Sequence, residues 1–167
     1  PDTRTYWNAD GSLRPGASPD PKVRLREQDL DGLDAEVLYF PMAGGMLTGA
    51  GAKNTDAYMA GVRAYNDWLA DYCSIAPDRL LGAMLLPYTS IDDAIAEMQR
   101  AREKGLHVVC LQNWPGGVDQ PSEADDKFWA ATLDMGMTVA PHILLGSATV
   151  PAHEIQVTPQ RAIGGFN

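Results

Sequence analysis

The chain has 167 residues, of which 45% are hydrophobic, and this is enough for one globular domain with a sizeable core. Its formal net charge of -9 makes it a poor partner for nucleic acid or for an anionic membrane surface. No apolar run is long enough to span a bilayer, and the opening "PDTRTYWNAD" lacks the basic start and apolar run of a signal peptide. Since the two cysteines form no Cys-x-x-Cys pair, we expect a cytoplasmic protein with reduced thiols.

Start and stop signals divide the sequence into alternating helices and strands. Asp20 as N-cap and Pro21 at the first helical position begin one helix, and Gly32 ends it. Ser90 with Asp93 resembles a capping box at the start of another. Apolar periodicity and β-forming runs supply the other elements. In chain order, the predicted elements are a helix over 21–32, a strand over 35–41, a helix over 55–74, a strand over 79–87, a helix over 90–105, a strand over 107–113, a helix over 122–136 and a strand over 137–143.

Strands that alternate with helices imply right-handed crossovers and a parallel sheet. We therefore predict a single α/β domain over 1–167, with βα units over 21–143, an irregular segment over 1–20 and an irregular tail over 144–167. Four such units can form an open doubly wound sheet that is complete in itself. They can also form half of a (β/α)₈ TIM barrel, which needs about 250 residues. Length favours the open sheet, whereas the residues at the strand ends favour the partial barrel.

A Gly-rich loop over 42–54 suggests a phosphate site, but neither common motif is complete. Gly44 and Gly49 have the spacing of a P-loop, yet Ala50 stands where the lysine is needed. Gly49 and Gly51 begin a dinucleotide fingerprint, yet Asn54 replaces its third glycine. A loop over the strand ends is the better interpretation.

Three histidines are candidates for a functional site. His107 begins a strand, at the edge of a parallel sheet that serves stability, and His153 lacks the second histidine of an H-E-x-x-H because Val157 stands there. His142 ends the strand "MTVAPHI", at the edge where α/β proteins place their chemistry. Side chains alternate along a strand, so His142 shares a face with Ala140 and would project near a barrel's mouth. A catalytic zinc needs about three protein ligands, and the sequence has no H-x-H to complete the set.

The order of segments resembles the amidohydrolase-related proteins of the aminocarboxymuconate-semialdehyde decarboxylase type. The resemblance extends from Pro21 to Ile143 and rests on four features taken together. They are "R-x-x-D-x-D-G-x-D" before a strand, "Y-N-D-W" on a helix, "P-D-R-L-x-G" before the next strand, and a histidine at a strand end.

This resemblance implies a metal-dependent (β/α)₈ barrel of which the chain supplies the second to the fifth strand. His142 then matches the metal ligand of the fifth strand, and the metal is implied to be zinc. Asn113 and Trp114 after one strand, and Pro41 and Met42 after another, are implied to face the substrate pocket. The family's H-x-H on the first strand and its later His and Asp ligands are absent, so we expect them before Pro1 and after Asn167, in a chain about twice as long.

The implied function is hydrolysis or decarboxylation of an aromatic or conjugated carboxylic acid by a zinc-centred mechanism. The expected partner is a small-molecule carboxylic acid, and a homo-oligomer is compatible with the sequence. The residues leave two alternatives open. One is a catalytically incomplete relative with a structural or assembly role, and the other is a flavodoxin-like open sheet that binds an anion over the Gly-rich loop.

Overall fold

A computed structural model describes residues 20–40, 55–116 and 121–142. The predicted order of helices and strands is confirmed in these ranges, and each strand is three or four residues shorter than the sequence pattern indicates. The predicted irregular segments lie outside the described residues, except for Asp20. In chain order, the elements are α1 (Pro21–Asp31), β1 (Glu36–Leu38), α2 (Thr55–Cys73), β2 (Leu80–Leu85), α3 (Ile91–Glu103), β3 (Val108–Leu111), a 3₁₀ turn (Glu123–Asp125), α4 (Asp126–Asp134) and β4 (Thr138–Pro141).

The helix ends follow the signals in the sequence. The Asp20 carboxylate accepts a hydrogen bond from the Lys22 amide at 2.9 Å, which satisfies an amide that the first turn leaves free. Gly32 ends α1 with a φ of 73°, a left-handed conformation that glycine adopts without strain. At the start of α3 the Ser90 hydroxyl accepts from the Asp93 amide at 3.0 Å, as the capping pattern predicts.

The four strands form one parallel sheet in the order β1-β2-β3-β4. Register pairs Leu38 with Gly82 across the first two strands and Cys110 with Ala140 across the last two. Neighbours in the sheet are therefore also neighbours in sequence, as in a barrel. In a flavodoxin-like sheet the order of the strands reverses at a switch point. The order of the described strands does not reverse, so the open-sheet alternative is wrong for them.

The helices pack on one face of this sheet. The main core joins alternate strand residues, such as Met84 and Val109, to residues of the helices, such as Leu69, Met98 and Phe128. The opposite face carries a smaller apolar cluster whose members come from three adjacent strands. They are Ala83, Val108, Cys110 and the partly buried Ala140. We call this second face the inner face, because a barrel would enclose it.

Two large apolar side chains on the helices are exposed. The pattern "YNDWLADY" on α2 predicts core packing for its aromatic residues, and this prediction is wrong for Trp68, which is 53% exposed and contacts Tyr65 and Tyr72. Leu133 of α4 is exposed as well. In both cases the helix turns the residue away from the sheet. Within the described ranges, no helix combines the length and apolarity needed to cross a bilayer.

Candidate functional site

The carboxyl ends of the four strands meet at one edge of the sheet, because all strands are parallel. Polar and aromatic residues follow each strand at this edge. They are Tyr39 after β1, Tyr88 after β2, Gln112, Asn113 and Trp114 after β3, and His142 after β4. Parallel α/β proteins place ligands at this edge, so we call these residues the strand-end cluster.

His142 has a fixed position in the strand-end cluster. Its backbone amide donates to the Leu111 carbonyl at 2.9 Å, which extends the pairing of β3 and β4 by one residue. Its ring stacks on Tyr39, with ring centroids 4.8 Å apart and planes 20° from parallel. Ala140 lies on the inner face, whereas Val139 packs against the helices. Side-chain alternation thus puts His142 on the inner side, and its role as a metal ligand stays a prediction.

The three residues predicted to line a substrate pocket have different outcomes. Asn113 and Trp114 directly follow β3 and are both half-buried. The Trp114 ring meets Trp129 of α4 edge to face, with centroids 6.4 Å apart. Met42, like Pro41 beside it, lies outside the described residues. The structure therefore brings Asn113, Trp114 and His142 to one edge of the sheet, and their roles stay predictions.

Two tyrosines connect the strand ends. The sequence does not identify either of them as a functional residue. The Tyr88 amide donates to the Tyr58 hydroxyl at 3.2 Å, and the Gln112 amide donates to the Tyr88 hydroxyl at 3.1 Å. Burial raises the pKa of Tyr88 to about 12, so its hydroxyl stays protonated at neutral pH. These bonds hold the backbone after β2 against the backbone after β3. The only signal in the sequence is a tyrosine directly after an apolar strand, which is too common to be diagnostic.

A buried polar group on the helix side fixes the end of β2. The Asn66 side chain donates to the Leu85 carbonyl and accepts from the Leu85 amide, both at 2.9 Å. Its nitrogen also donates to Glu97 at 2.7 Å, and Arg100 donates to both carboxylate oxygens of the fully buried Glu97. Asn66 belongs to the "Y-N-D-W" feature, which has no local signal for a contact with a strand. Its partner Glu97 falls on an otherwise apolar helix face, so the sequence does not predict this pairing either.

The described residues do not make a complete metal site. Within 20–40, 55–116 and 121–142, no group of three or more His, Cys, Asp or Glu side chains is close enough to hold an ion. The imidazole of His142 is suitable as one ligand, whereas a catalytic zinc site takes about three protein ligands. The described residues therefore cannot hold a catalytic metal by themselves.

The inner face also carries a thiol, which is not suited to nucleophilic attack. Cys110 is buried among Ala83, Val108 and Ala140. Burial raises the pKa of its thiol to about 11, so the reactive thiolate is scarce at neutral pH.

A cavity of about 420 Å³ opens at the other end of the strands. Its lining includes Cys73, Gly82, Lys104 and His107, from the amino ends of β2 and β3 and the adjacent helix ends. His107 lies at the start of β3, where the sequence predicts a structural rather than a chemical role. The cavity is thus separate from the strand-end cluster.

The family model for amidohydrolases matches residues 14–162, which is most of the chain. The search of curated proteins found no match. Solved structures with a similar fold include 2,6-dihydroxybenzoate decarboxylase from Rhizobium, with a TM-score of 0.57 and 22% identity over 71% of this chain.

A second similar structure is 5-carboxyvanillate decarboxylase from Novosphingobium aromaticivorans, solved with bound manganese, with a TM-score of 0.59 and 23% identity over 83% of this chain. The chain spans 38% of the length of the first protein and 37% of the second. The four-stranded parallel sheet therefore corresponds to part of a (β/α)₈ barrel, and the predicted partial TIM barrel is confirmed.

Proposed function

Since the chain belongs to the amidohydrolase family, we propose that the whole protein is a metal-dependent enzyme that decarboxylates or hydrolyses an aromatic or conjugated carboxylic acid. The observation that carries the proposal is the position of His142 at the carboxyl end of β4, on the inner side of the sheet. The two similar structures are decarboxylases of aromatic acids, so we favour decarboxylation over hydrolysis. The alternative of an inactive assembly module has no comparable support.

The metal in this proposal is a divalent ion with His142 as one of its ligands. The family resemblance implies zinc, to which imidazole nitrogen is well suited, whereas 5-carboxyvanillate decarboxylase holds manganese, which prefers oxygen ligands. Such an ion supplies Lewis-acid polarisation of a substrate oxygen when it is bound. The remaining ligands must come from residues outside the described ranges, since these ranges hold no further cluster.

The other residues of the strand-end cluster have roles in binding under this proposal. The half-buried Trp114 offers an apolar surface for a flat ring, and its contact with Trp129 limits its motion. Asn113 offers a carboxamide that can donate to a carboxylate. Met42 comes after β1 in the sequence and would add an apolar contact to the substrate. Tyr39 restricts the ring of His142 by stacking on it.

The test uses the full-length protein, purified with its native metal content. We expect close to one equivalent of zinc or manganese by elemental analysis, and release of CO₂ from at least one acid in a panel of hydroxylated and conjugated carboxylic acids. His142→Ala should lose both, because one ligand is removed. His107→Ala is the matched control, since this exposed histidine lies at the opposite end of the sheet.

Two results would refute the proposal. One is a folded full-length protein that contains no divalent metal and turns over no acid. The other is a His142→Ala variant that keeps the metal content and activity of the parent protein.

A further inference from the structure

Gln112 carries a buried acceptor for which the described part of the chain provides no donor. The residue is 6% exposed, and its Oε1 atom is buried without a hydrogen bond. Buried polar atoms in proteins are nearly always paired, because an unpaired one has a high free-energy cost. An unpaired acceptor at a candidate site therefore points to a donor from outside the described residues, such as a bound ligand.

Strand register places this acceptor next to His142. Cys110 is paired with Ala140, and both belong to the cluster on the inner face. Two residues further along, Gln112 is level with His142, and alternation puts both side chains on the inner side. The backbone bond between His142 and Leu111 shows that the pairing continues beyond the last strand residue.

The backbone of Gln112 is fixed from the other side. Its amide donates to the Tyr88 hydroxyl at 3.1 Å, and Tyr88 is held in turn by Tyr58. A carboxamide with a fixed backbone and a buried side chain loses little further entropy when it binds a ligand. Gln112 therefore meets the requirements for a preorganised contact better than the half-buried Asn113.

A second buried glutamine shows what a purely structural case looks like. Gln28 on α1 also has an unpaired, buried Oε1, but its Nε2 donates to Glu36 at 2.6 Å. It belongs to the group formed with Arg24 between α1 and β1, at the amino end of β1. Gln28 is thus a control of the same residue type and similar burial, away from the strand-end cluster.

We propose that Gln112 determines specificity in the strand-end cluster by accepting a hydrogen bond from a ring hydroxyl of an aromatic acid. The inference rests on the proposed function, and it names the substrate class more narrowly. An ionised carboxylate only accepts hydrogen bonds, so it cannot satisfy Oε1. A phenolic hydroxyl can donate, and a site with a buried polar partner discriminates strongly against a ligand that lacks it.

The experiment is calorimetric titration of the full-length metal-loaded protein with benzoate and with the three monohydroxybenzoates. The parent protein should bind the best hydroxybenzoate about 10-fold more tightly than benzoate, the usual effect of one buried hydrogen bond. Gln112→Met keeps the length of the side chain and removes the acceptor. It should reduce this preference to less than about 2-fold and change benzoate affinity little. Gln28→Met should keep the full preference.

A measurement on the parent protein makes the result independent of how well the variant folds. The methoxybenzoate that corresponds to the best hydroxybenzoate has no donor, so it should bind about 10-fold more weakly. The inference is overturned if the methoxy ligand binds as tightly, or if Gln112→Met retains the preference or weakens all ligands equally. These results leave the proposed function intact. If no benzoate binds the parent protein at all, this inference is overturned, whereas the proposed function, which also covers conjugated acids, is decided by its own test of metal content and turnover.

Discussion

Tyr39 and His142 stack on each other although they follow the first and the last strand of the described sheet. Their ring centroids are 4.8 Å apart. Across a flat sheet, three strand spacings would separate the two backbones by about 14 Å. The contact therefore requires the sheet to curve towards its inner face, as in a barrel wall, and it brings an aromatic ring against the candidate metal ligand.

We expect Tyr39→Ala to weaken divalent metal binding by the full-length protein by about 2- to 10-fold, since aromatic stacking contributes about 0.5–1.5 kcal/mol. The reason is that His142 would no longer be held in one ring orientation. Competition with a chromophoric chelator measures the affinity directly. Tyr39→Phe keeps the ring and should bind metal as the parent does. Equal affinities for the Ala and Phe variants would show that stacking does not orient the ligand.

The group formed by Asn66, Glu97 and Arg100 should be important for stability. Glu97→Ala removes the partner of a bidentate guanidinium and of a buried carboxamide, and we expect a loss of about 3 kcal/mol in the free energy of unfolding. Arg100 is partly exposed and can reach water, which places the loss at the lower end of the range for broken buried pairs. Urea unfolding followed by circular dichroism gives the value.

A matched substitution separates this effect from simple loss of charge. Asp67 also pairs with Arg100, at 2.5 Å, but its side chain is 42% exposed. Asp67→Asn should therefore have an effect below about 1 kcal/mol. Asn66→Ala should lose about 1–3 kcal/mol, because it leaves the Leu85 amide without its acceptor. A Glu97→Ala effect no larger than that of Asp67→Asn would contradict this assignment.

The contact between Glu36 and Arg24 should make stability depend on acid pH. The hydrogen bond from Arg24 lowers the pKa of Glu36 below its usual value of 4.5, burial opposes the shift, and Gln28 adds a second donor. Because the pKa of Glu36 is lower in the folded state than in the unfolded state, the ionised carboxylate stabilises the folded protein at pH values above the unfolded-state pKa. This contribution is lost as the pH falls through the lower, folded-state pKa.

Glu36→Gln tests the sign of this effect. The parent protein should be more stable than the variant at pH 7, and the difference should shrink as the pH falls below about 4.5. Urea unfolding at several pH values between 7 and 3 measures it. A difference that grows towards acid pH would mean that the carboxylate is not stabilised in the folded state.

Sequence alone determined the elements and their order, because their signals are local. Asp20, Gly32 and Ser90 act within one helical turn, and apolar periodicity separates helices from strands. The placement of His142 at the end of a parallel strand also followed from the sequence, since strand direction is fixed by the alternation with helices. The family resemblance favoured a partial barrel, but only the strand order of the structure excluded the open sheet.

Only the tertiary structure decided which side chains meet across elements. The stack of Tyr39 on His142 joins residues from the two outer strands, and the bond of Asn66 to Leu85 joins a helix to a strand. Neither pair has a local signal, because each depends on sheet curvature and helix packing. The same holds for Gln112, whose burial and unpaired oxygen depend on neighbours distant in sequence. Local patterns specify where a residue stands along the chain, and packing specifies what surrounds it.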